Sequence, residues 1–185
     1  MLETLPRGIG SLLSAFRPGP GGLVSAASVA RTIGSLTVSS PAFEDGGPIP
    51  KAYTDDGEGL SPPLAWTGVP PTAEAILVII EDADSPTLRP LVHAILLDRD
   101  VRSGRLEEGA LSRSGLELGL NSYFKHGYLP PDPPPGHGPH RYAFQVFALD
   151  RAPPPGTIGG RSAVLRALKD HVVASGCLIG IYERD

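Results

Sequence analysis

The sequence predicts a mainly β protein: an antiparallel sandwich of two sheets with Greek-key connections, long loops and one late helix. Short apolar runs of strand length recur along the chain, and segments rich in proline and glycine separate them. A convincing helical period occurs only near the C-terminus. With 185 residues, the chain corresponds to about one domain and is long enough to bury a proper core.

Four runs predict strands in the first half of the chain. Residues 36–38 alternate in polarity, and residues 49–53 indicate a further strand. Residues 75–80 form a continuous aliphatic run that ends in acidic residues, which is typical of a buried strand. Residues 92–97 repeat this pattern with His93 near the start. Two neighbouring strand ends are therefore expected to present polar side chains together.

The second half of the chain begins with a long, irregular and glycine-rich segment over residues 99–126. Residues 127–139 hold too many prolines and glycines for a helix, so they predict a rigid loop. Residues 141–149 then predict a strand buried on both faces. Residues 162–174 carry a helical period that Gly176 ends, and residues 177–182 predict a final strand.

The rigid loop of residues 127–139 and the predicted strand after it contain a set of residues whose spacing is characteristic. Its residues are Tyr128, Pro133, Pro134, His140, Arg141 and Tyr142, with Ala148-Leu149-Asp150 at the strand end. Further matches upstream are Ser61-Pro62-Pro63-Leu64, Trp66, Asp82-Ala83-Asp84-Ser85-Pro86 and His93. The order of these motifs resembles that of the phosphatidylethanolamine-binding protein family, in particular its bacterial members of the Raf kinase inhibitor-like type. The resemblance covers residues 35–185. It predicts one domain over these residues and an N-terminal arm over residues 1–34.

The candidate site combines Asp82, His93, His140 and Tyr142 at the strand mouths. Because alternate strand residues share a face, His140 and Tyr142 are expected to lie side by side. Imidazolium and phenol groups donate hydrogen bonds to anions, while a carboxylate can hold a histidine in its protonated form. This chemistry suits a small phosphate monoester or a phosphoethanolamine headgroup.

The resemblance implies the same pocket. It assigns ligand binding to Asp82, Pro86, His93, Pro133, His140 and Tyr142. Asp84 is expected to have a structural role in holding its loop.

Four positions depart from the pattern of the family. Leu91 and Ala94 replace larger residues, so we expect a roomier and less aromatic pocket. Pro130 removes an amide donor, and Asp132 adds a negative charge that would oppose an anion. We expect Asp132→Gly to tighten phosphate binding about three- to tenfold.

The function predicted first is non-catalytic: a ligand-binding or regulatory protein, with a kinase or protease as the protein partner that the resemblance implies. The alternative is a hydrolytic or metal-assisted enzyme that uses the same histidines. The chain has no HExxH, HxH or CxxC spacing for a metal and no GxSxG elbow for a nucleophile. No catalytic residue, metal or cofactor is therefore predicted.

The composition of the chain argues against several other functions and locations. The net charge of -4 and the absence of any run of Lys or Arg argue against a nucleic-acid-binding function. No apolar run approaches the about 20 residues of a membrane span, and no signal peptide is evident. The single cysteine, Cys177, is expected to be buried and cannot form an internal disulfide, so a cytoplasmic location is expected. Trp66 is expected in the core, and His126 and His137 in solvent.

The N-terminal arm contains Ile9, Leu12, Leu13 and Phe16, which fall at the spacing of a short amphipathic helix. We expect the arm to pack on its own domain or on the partner of a homodimer. A flexible tail and a membrane-surface helix are the alternatives, although the polar face lacks the Lys and Arg that such helices use.

Overall fold

The computed structural model describes residues 17–28 and 34–184 of the chain. Short helices α1 (Val24–Ser28) and α2 (Arg161–Leu168) accompany two β-sheets. The strands are β1 (Gly34–Ser35), β2 (Thr37–Ser39), β3 (Gly47–Pro48), β4 (Leu64–Thr67), β5 (Ala75–Asp82), β6 (Leu91–Asp98), β7 (Arg105–Leu106), β8 (Glu117–Leu118), β9 (His140–Leu149) and β10 (Val172–Tyr182). The predicted mainly β fold with two sheets and a late helix is confirmed.

The larger sheet has the strand order β1-β10-β9-β5-β6-β8, and β3 also pairs with β10. The smaller sheet has the order β2-β4-β7. The long pairings are antiparallel, but the two-residue strands β1 and β3 run parallel to β10. The sandwich is therefore antiparallel in its centre and parallel only at short edge segments.

The central strands are continuous apolar runs because both of their faces are covered. On one face of β5, Ile76 and Val78 pack in a cluster that includes Trp66 of the smaller sheet. On the other face, Leu77 packs in a second cluster with Val164 of α2. The larger sheet thus lies between the smaller sheet and the late helix, and Trp66 is buried as predicted.

Several local predictions were wrong. Residues 51–53 form a 3₁₀ turn rather than a strand, although Ile49 and Tyr53 are buried in the core as their apolar character requires. The late helix ends at Leu168 because Asp170 has a positive φ of 64°, which a helix cannot accommodate. The residues from Val172 onward pair with β9 instead. Cys177 is exposed.

Residues 17–28, which we call the N-terminal strap, pack against the larger sheet. Leu23 and Val24 are buried. Ile9, Leu12, Leu13 and Phe16 lie outside the described residues, so the predicted amphipathic helix stays a prediction. Neither α1 nor α2, in the part of the chain that the structure covers, is long and apolar enough to cross a membrane.

A buried charged network holds the strap in place. Glu81 on β5 is 0% exposed. Its Oε1 accepts a hydrogen bond from Arg161 Nε at 2.6 Å, and its Oε2 accepts from the Val24 amide at 2.8 Å and from Gln145 Nε2 at 2.8 Å. Gln145 Oε1 in turn accepts from the Ser25 amide at 2.8 Å. These bonds satisfy a carboxylate that burial would otherwise penalise heavily.

Replacing Glu81 with alanine should destabilise the protein strongly. The change leaves the Arg161 guanidinium and the Val24 and Gln145 donors without their buried acceptor, which costs about 3–5 kcal/mol in the free energy of unfolding. Urea denaturation followed by circular dichroism measures this cost. Glu44→Ala, at an exposed position, is the control and should change stability by less than about 0.5 kcal/mol. Equal effects of the two substitutions would contradict the role of the network.

Candidate functional site

The site is built where β5 and β9 meet at one edge of the larger sheet. Asp82, the last residue of β5, pairs with Tyr142 near the start of β9. This register places His140 close to Asp82, and His140 Nδ1 donates to Asp82 Oδ2 at 2.7 Å. The second oxygen of Asp82 accepts from the Asp84 amide at 2.8 Å. The Asp82 carboxylate therefore fixes the orientation of the His140 ring.

His93 enters the site through an irregularity in β6. Ile80 pairs with Ala94 and Glu81 pairs with Val92, so His93 is the extra residue of a β-bulge. Bulges re-aim a side chain and are common next to functional sites. The His93 ring lies edge-on to Tyr142, with ring centroids 5.1 Å apart. The Tyr142 ring is in turn nearly parallel to the His140 ring at 6.3 Å.

The hydrogen bond of His93 determines its tautomer. Its Nδ1 lies 2.6 Å from the Leu129 carbonyl oxygen, which can only accept, so Nδ1 carries the proton. Burial lowers the pKa of His93, which favours the neutral ring. Nε2 is then a bare acceptor.

Two buried polar atoms of the site have no hydrogen-bond partner among the described residues. They are His93 Nε2 and the hydroxyl of Tyr142, a residue that is 1% exposed. Burial, and secondarily the charge of Asp82, raises the pKa of Tyr142, so the hydroxyl keeps its proton and can donate. An unsatisfied donor and an unsatisfied acceptor thus belong to neighbouring rings, and such groups need an explanation.

His137, predicted to be solvated, is buried at 2% exposure. Its Nδ1 lies 2.7 Å from His140 Nε2, so one of these two nitrogens donates a hydrogen bond to the other. The signal for this contact was present in the sequence: Gly136 and Gly138 flank a histidine three residues before His140. Gly136 and Gly138 have φ values of 76° and 86°, which turn the chain inward. His126, by contrast, is exposed as predicted.

Asp84 holds the loop that follows β5, as expected. It is fully buried and accepts hydrogen bonds from the amide, Nε and Nη2 of Arg141, at 2.9, 2.7 and 2.7 Å. Burial by itself would raise the pKa of Asp84, but the bonds from Arg141 outweigh it and the pKa is lowered. This bidentate pair rigidifies the start of β9.

The proline-rich loop of residues 127–139 also borders the site. Asp132, whose side chain is 16% exposed, pairs with Arg184, which also binds Asp56 at 2.8 Å. Pro133 is buried in this loop, and Pro86 is half-buried in the loop after Asp84. The structure therefore brings together Asp82, His93, His140 and Tyr142. The ligand-binding roles of these four residues and of Pro86 and Pro133 stay predictions.

Comparison with known proteins identifies the family of this chain. A family model described as Phosphatidylethanolamine-binding protein matches residues 39–183. The chain belongs to the phosphatidylethanolamine-binding protein family. The UPF0098 protein of Aquifex aeolicus is 35% identical over 156 residues, which is 81% of this chain and 90% of the relative. The UPF0098 protein of Methanothermobacter thermautotrophicus is 36% identical over 153 residues, 80% and 99% of the two chains.

Solved structures of the family agree with the fold. The phosphatidylethanolamine-binding protein homologue CT736 of Chlamydia trachomatis superposes with a TM-score of 0.75 at 35% identity, covering 82% of this chain and 99% of that one. E. coli YbcL gives a TM-score of 0.73 at 24% identity, with the same coverage, and is similar in fold.

The lowered pKa of His93 predicts a pH-dependent signature. At pH 5.5 an ordinary histidine, with a pKa of about 6.5, is mostly protonated, whereas the lowered pKa of His93 should leave a larger fraction of its rings neutral, with the proton on Nδ1. The ¹⁵N chemical shifts of its ring report both properties. Because unfolded histidine is more fully protonated in this range than folded His93, the contribution of His93 to stability falls as the pH drops from about 6.5 towards its lowered pKa. Titration of His93 with a pKa at or above 6.5 would contradict this assignment.

Proposed function

We propose that this phosphatidylethanolamine-binding protein family member binds a small phosphorylated anion, such as a phosphate monoester or a phosphoethanolamine headgroup, without catalysing a reaction. The observation that carries the proposal is that the Tyr142 hydroxyl and His93 Nε2, beside the His140–Asp82 pair, have no hydrogen-bond partner among the described residues. A ligand that satisfies both groups removes two buried penalties of about 1–3 kcal/mol each.

The two groups select a particular ligand chemistry. Tyr142 donates to the ligand. His140 Nε2 is bonded to His137 Nδ1 in this structure, so it can contact a ligand only after His137 has moved. His93 Nε2 accepts, so the ligand must carry a donor as well as negative oxygens. A singly protonated phosphate group has both, because its P–OH can donate to His93 and its other oxygens can accept. Sulfate has no such donor near neutral pH.

A hydrolase, the alternative class, would need a nucleophile beside the His140 base. Within the described residues, the Nε2 position of His140 is taken by His137 Nδ1 rather than by a hydroxyl or thiol. The described segments also hold no cluster of three or more His, Cys, Asp or Glu side chains suited to a metal ion. No specific observation therefore favours an enzyme. A kinase or protease partner, a homodimer and a cytoplasmic location stay predictions.

Removing the Tyr142 hydroxyl should affect ligand binding and protein stability differently. Tyr142→Phe deletes a ligand donor and should weaken phosphate binding by at least about tenfold. It should leave the free energy of unfolding unchanged or slightly higher, because the deleted hydroxyl has no hydrogen-bond partner in the described part of the chain. Isothermal titration calorimetry at pH 6 with phosphate and phosphoethanolamine, together with urea denaturation, measures both effects.

Tyr128→Phe is the matched control. The Tyr128 hydroxyl already donates to the Tyr53 carbonyl at 3.1 Å, so its loss should cost about 1 kcal/mol of stability and leave binding unchanged. Sulfate and acetate serve as competitor anions in the same titrations. Binding of sulfate as tight as that of phosphate would refute the need for a ligand donor. Absence of binding to phosphate and phosphoethanolamine at pH 6 and pH 7.5 would refute the anion site.

The ion pair between Asp132 and Arg184 bears on the predicted effect of Asp132 on phosphate affinity. Asp132→Gly should still tighten phosphate binding about three- to tenfold at low salt, because it removes a negative charge and leaves Arg184 with one acidic partner fewer. Asp132→Asn preserves the shape of the side chain and should give part of the effect. Glu44→Gln removes the same charge at an exposed position and is the control. Unchanged phosphate affinity in both Asp132 variants would place the carboxylate outside the electrostatic range of the site.

A further inference from the structure

His137 occupies the place that the proposed function gives to a ligand. Its ring is buried, and its Nδ1 lies 2.7 Å from His140 Nε2, the nitrogen that would otherwise donate to an anion. The ring centroids of the two histidines are 4.7 Å apart. The site is therefore closed by a side chain of its own loop, and an anion can reach His140 only after His137 has moved.

The N-terminal strap holds the backbone around His137. The Arg17 guanidinium donates from Nη2 to the His137 carbonyl and from Nη1 to the Pro139 carbonyl, the latter at 2.8 Å. Its Nη1 also lies 3.3 Å from Asp84 Oδ1. A single side chain thus binds the turn on both sides of Gly138 and ties it to the loop that follows Asp82.

The two ends of the strap differ in how firmly they are attached. At Val24 and Ser25 the backbone amides bond to the buried Glu81 and Gln145, and Arg161 donates to the Gly22 carbonyl. At Arg17 the side chain is 26% exposed, so water competes for its bonds. The Val24 end is attached to fully buried side chains and the Arg17 end to a partly exposed one, so we expect opening to begin at Arg17.

We propose that the strap and the ligand compete for the site. Arg17 keeps His137 on His140, and binding of a phosphorylated anion requires that Arg17 releases the turn and that His137 leaves. The proposal rests on the proposed function for the identity of the ligand. Arg17 lies outside the residues 39–183 that match the family, so the family model does not describe this contact. By thermodynamic linkage, an anion that enters the site must loosen the Arg17 end of the strap.

The first test measures closure without any ligand. Diethyl pyrocarbonate modifies accessible imidazoles, and mass spectrometry of peptides gives the rate for each histidine. In the wild type, buried His137 should react much more slowly than exposed His126. In Arg17→Ala, the rate at His137 should rise at least about fivefold while the rate at His126 stays the same. An unchanged rate at His137 would overturn the role of Arg17, provided that circular dichroism shows both proteins folded.

The second test measures phosphate affinity by calorimetry. Arg17→Ala and His137→Ala should each bind phosphate about three- to tenfold more tightly than the wild type. Removing an arginine normally weakens anion binding, so tightening is opposite to the simple effect of charge. Arg102→Ala removes the same charge at an exposed position and is the matched control. Equal or weaker binding by Arg17→Ala would overturn the competition.

The third test uses linkage in the wild type. The Gly19 amide donates to the Ala83 carbonyl at 2.8 Å, near the Arg17 end, and the Val24 amide donates to Glu81 at the other end. Saturating phosphate should speed hydrogen exchange at Gly19 and leave Val24 unchanged. Unchanged or slower exchange at Gly19 would overturn the proposal.

The failure of this proposal can be distinguished from the failure of the proposed function. If no variant binds phosphate while His137 still becomes accessible in Arg17→Ala, the anion site is refuted and closure by Arg17 is supported. If the wild type binds phosphate and Arg17→Ala changes neither affinity nor the accessibility of His137, the anion site is supported and closure by Arg17 is refuted.

Discussion

The pairing of β5 with β9 is the constraint on which the site depends. The register runs from Ala75 opposite Leu149 to Asp82 opposite Tyr142. Both strands are buried on both faces, and a slip of one residue would exchange the side chains between two differently packed clusters. The hydrophobic core therefore determines which polar residues emerge at the strand ends. Asp82 and His140 meet because the apolar residues behind them fit in only one register.

Buried charges at this edge of the sheet are compensated by partners from distant parts of the chain. Asp84 is held by Arg141, and Glu81 is held by Arg161. The charges of Asp84 and Glu81 would be costly if they were unpaired, so each pair also fixes a position of the backbone. One pair sets the loop after β5, and the other attaches the N-terminal strap. The site is thus framed by interactions whose disruption strongly destabilises the protein.

Within this rigid frame, the groups that face the site are polar and incompletely satisfied. His93 Nε2 and the Tyr142 hydroxyl have no partner among the described residues, and His140 is bonded to a histidine from its own loop. The positions of His93 and Tyr142 are set before a ligand arrives, as expected of groups in a binding site, whereas His140 becomes available only when His137 moves. Arg17, whose side chain is 26% exposed, binds the turn around Gly138 and lies close to Asp84.

The sequence by itself determined the family, the two-sheet β fold and the four polar residues at the strand mouths. Aliphatic runs bounded by prolines and acids mark buried strands through local patterning, which requires no knowledge of distant contacts. The spacing between Tyr128 and Tyr142 is likewise local. Residues 51–53 and 170–174 were misassigned because their apolar side chains serve the core in a turn and in a strand, a choice that tertiary packing makes.

Only the tertiary structure decided the chemical state of the site. The tautomer of His93 depends on the Leu129 carbonyl, 36 residues away in the sequence. The His137 ring contacts His140, and the His137 carbonyl is bound by Arg17, 120 residues away. The pairing of Asp132 depends on Arg184, 52 residues away. Contacts between such distant segments leave no periodic signal in the sequence, because they join single residues that lie far apart along the chain.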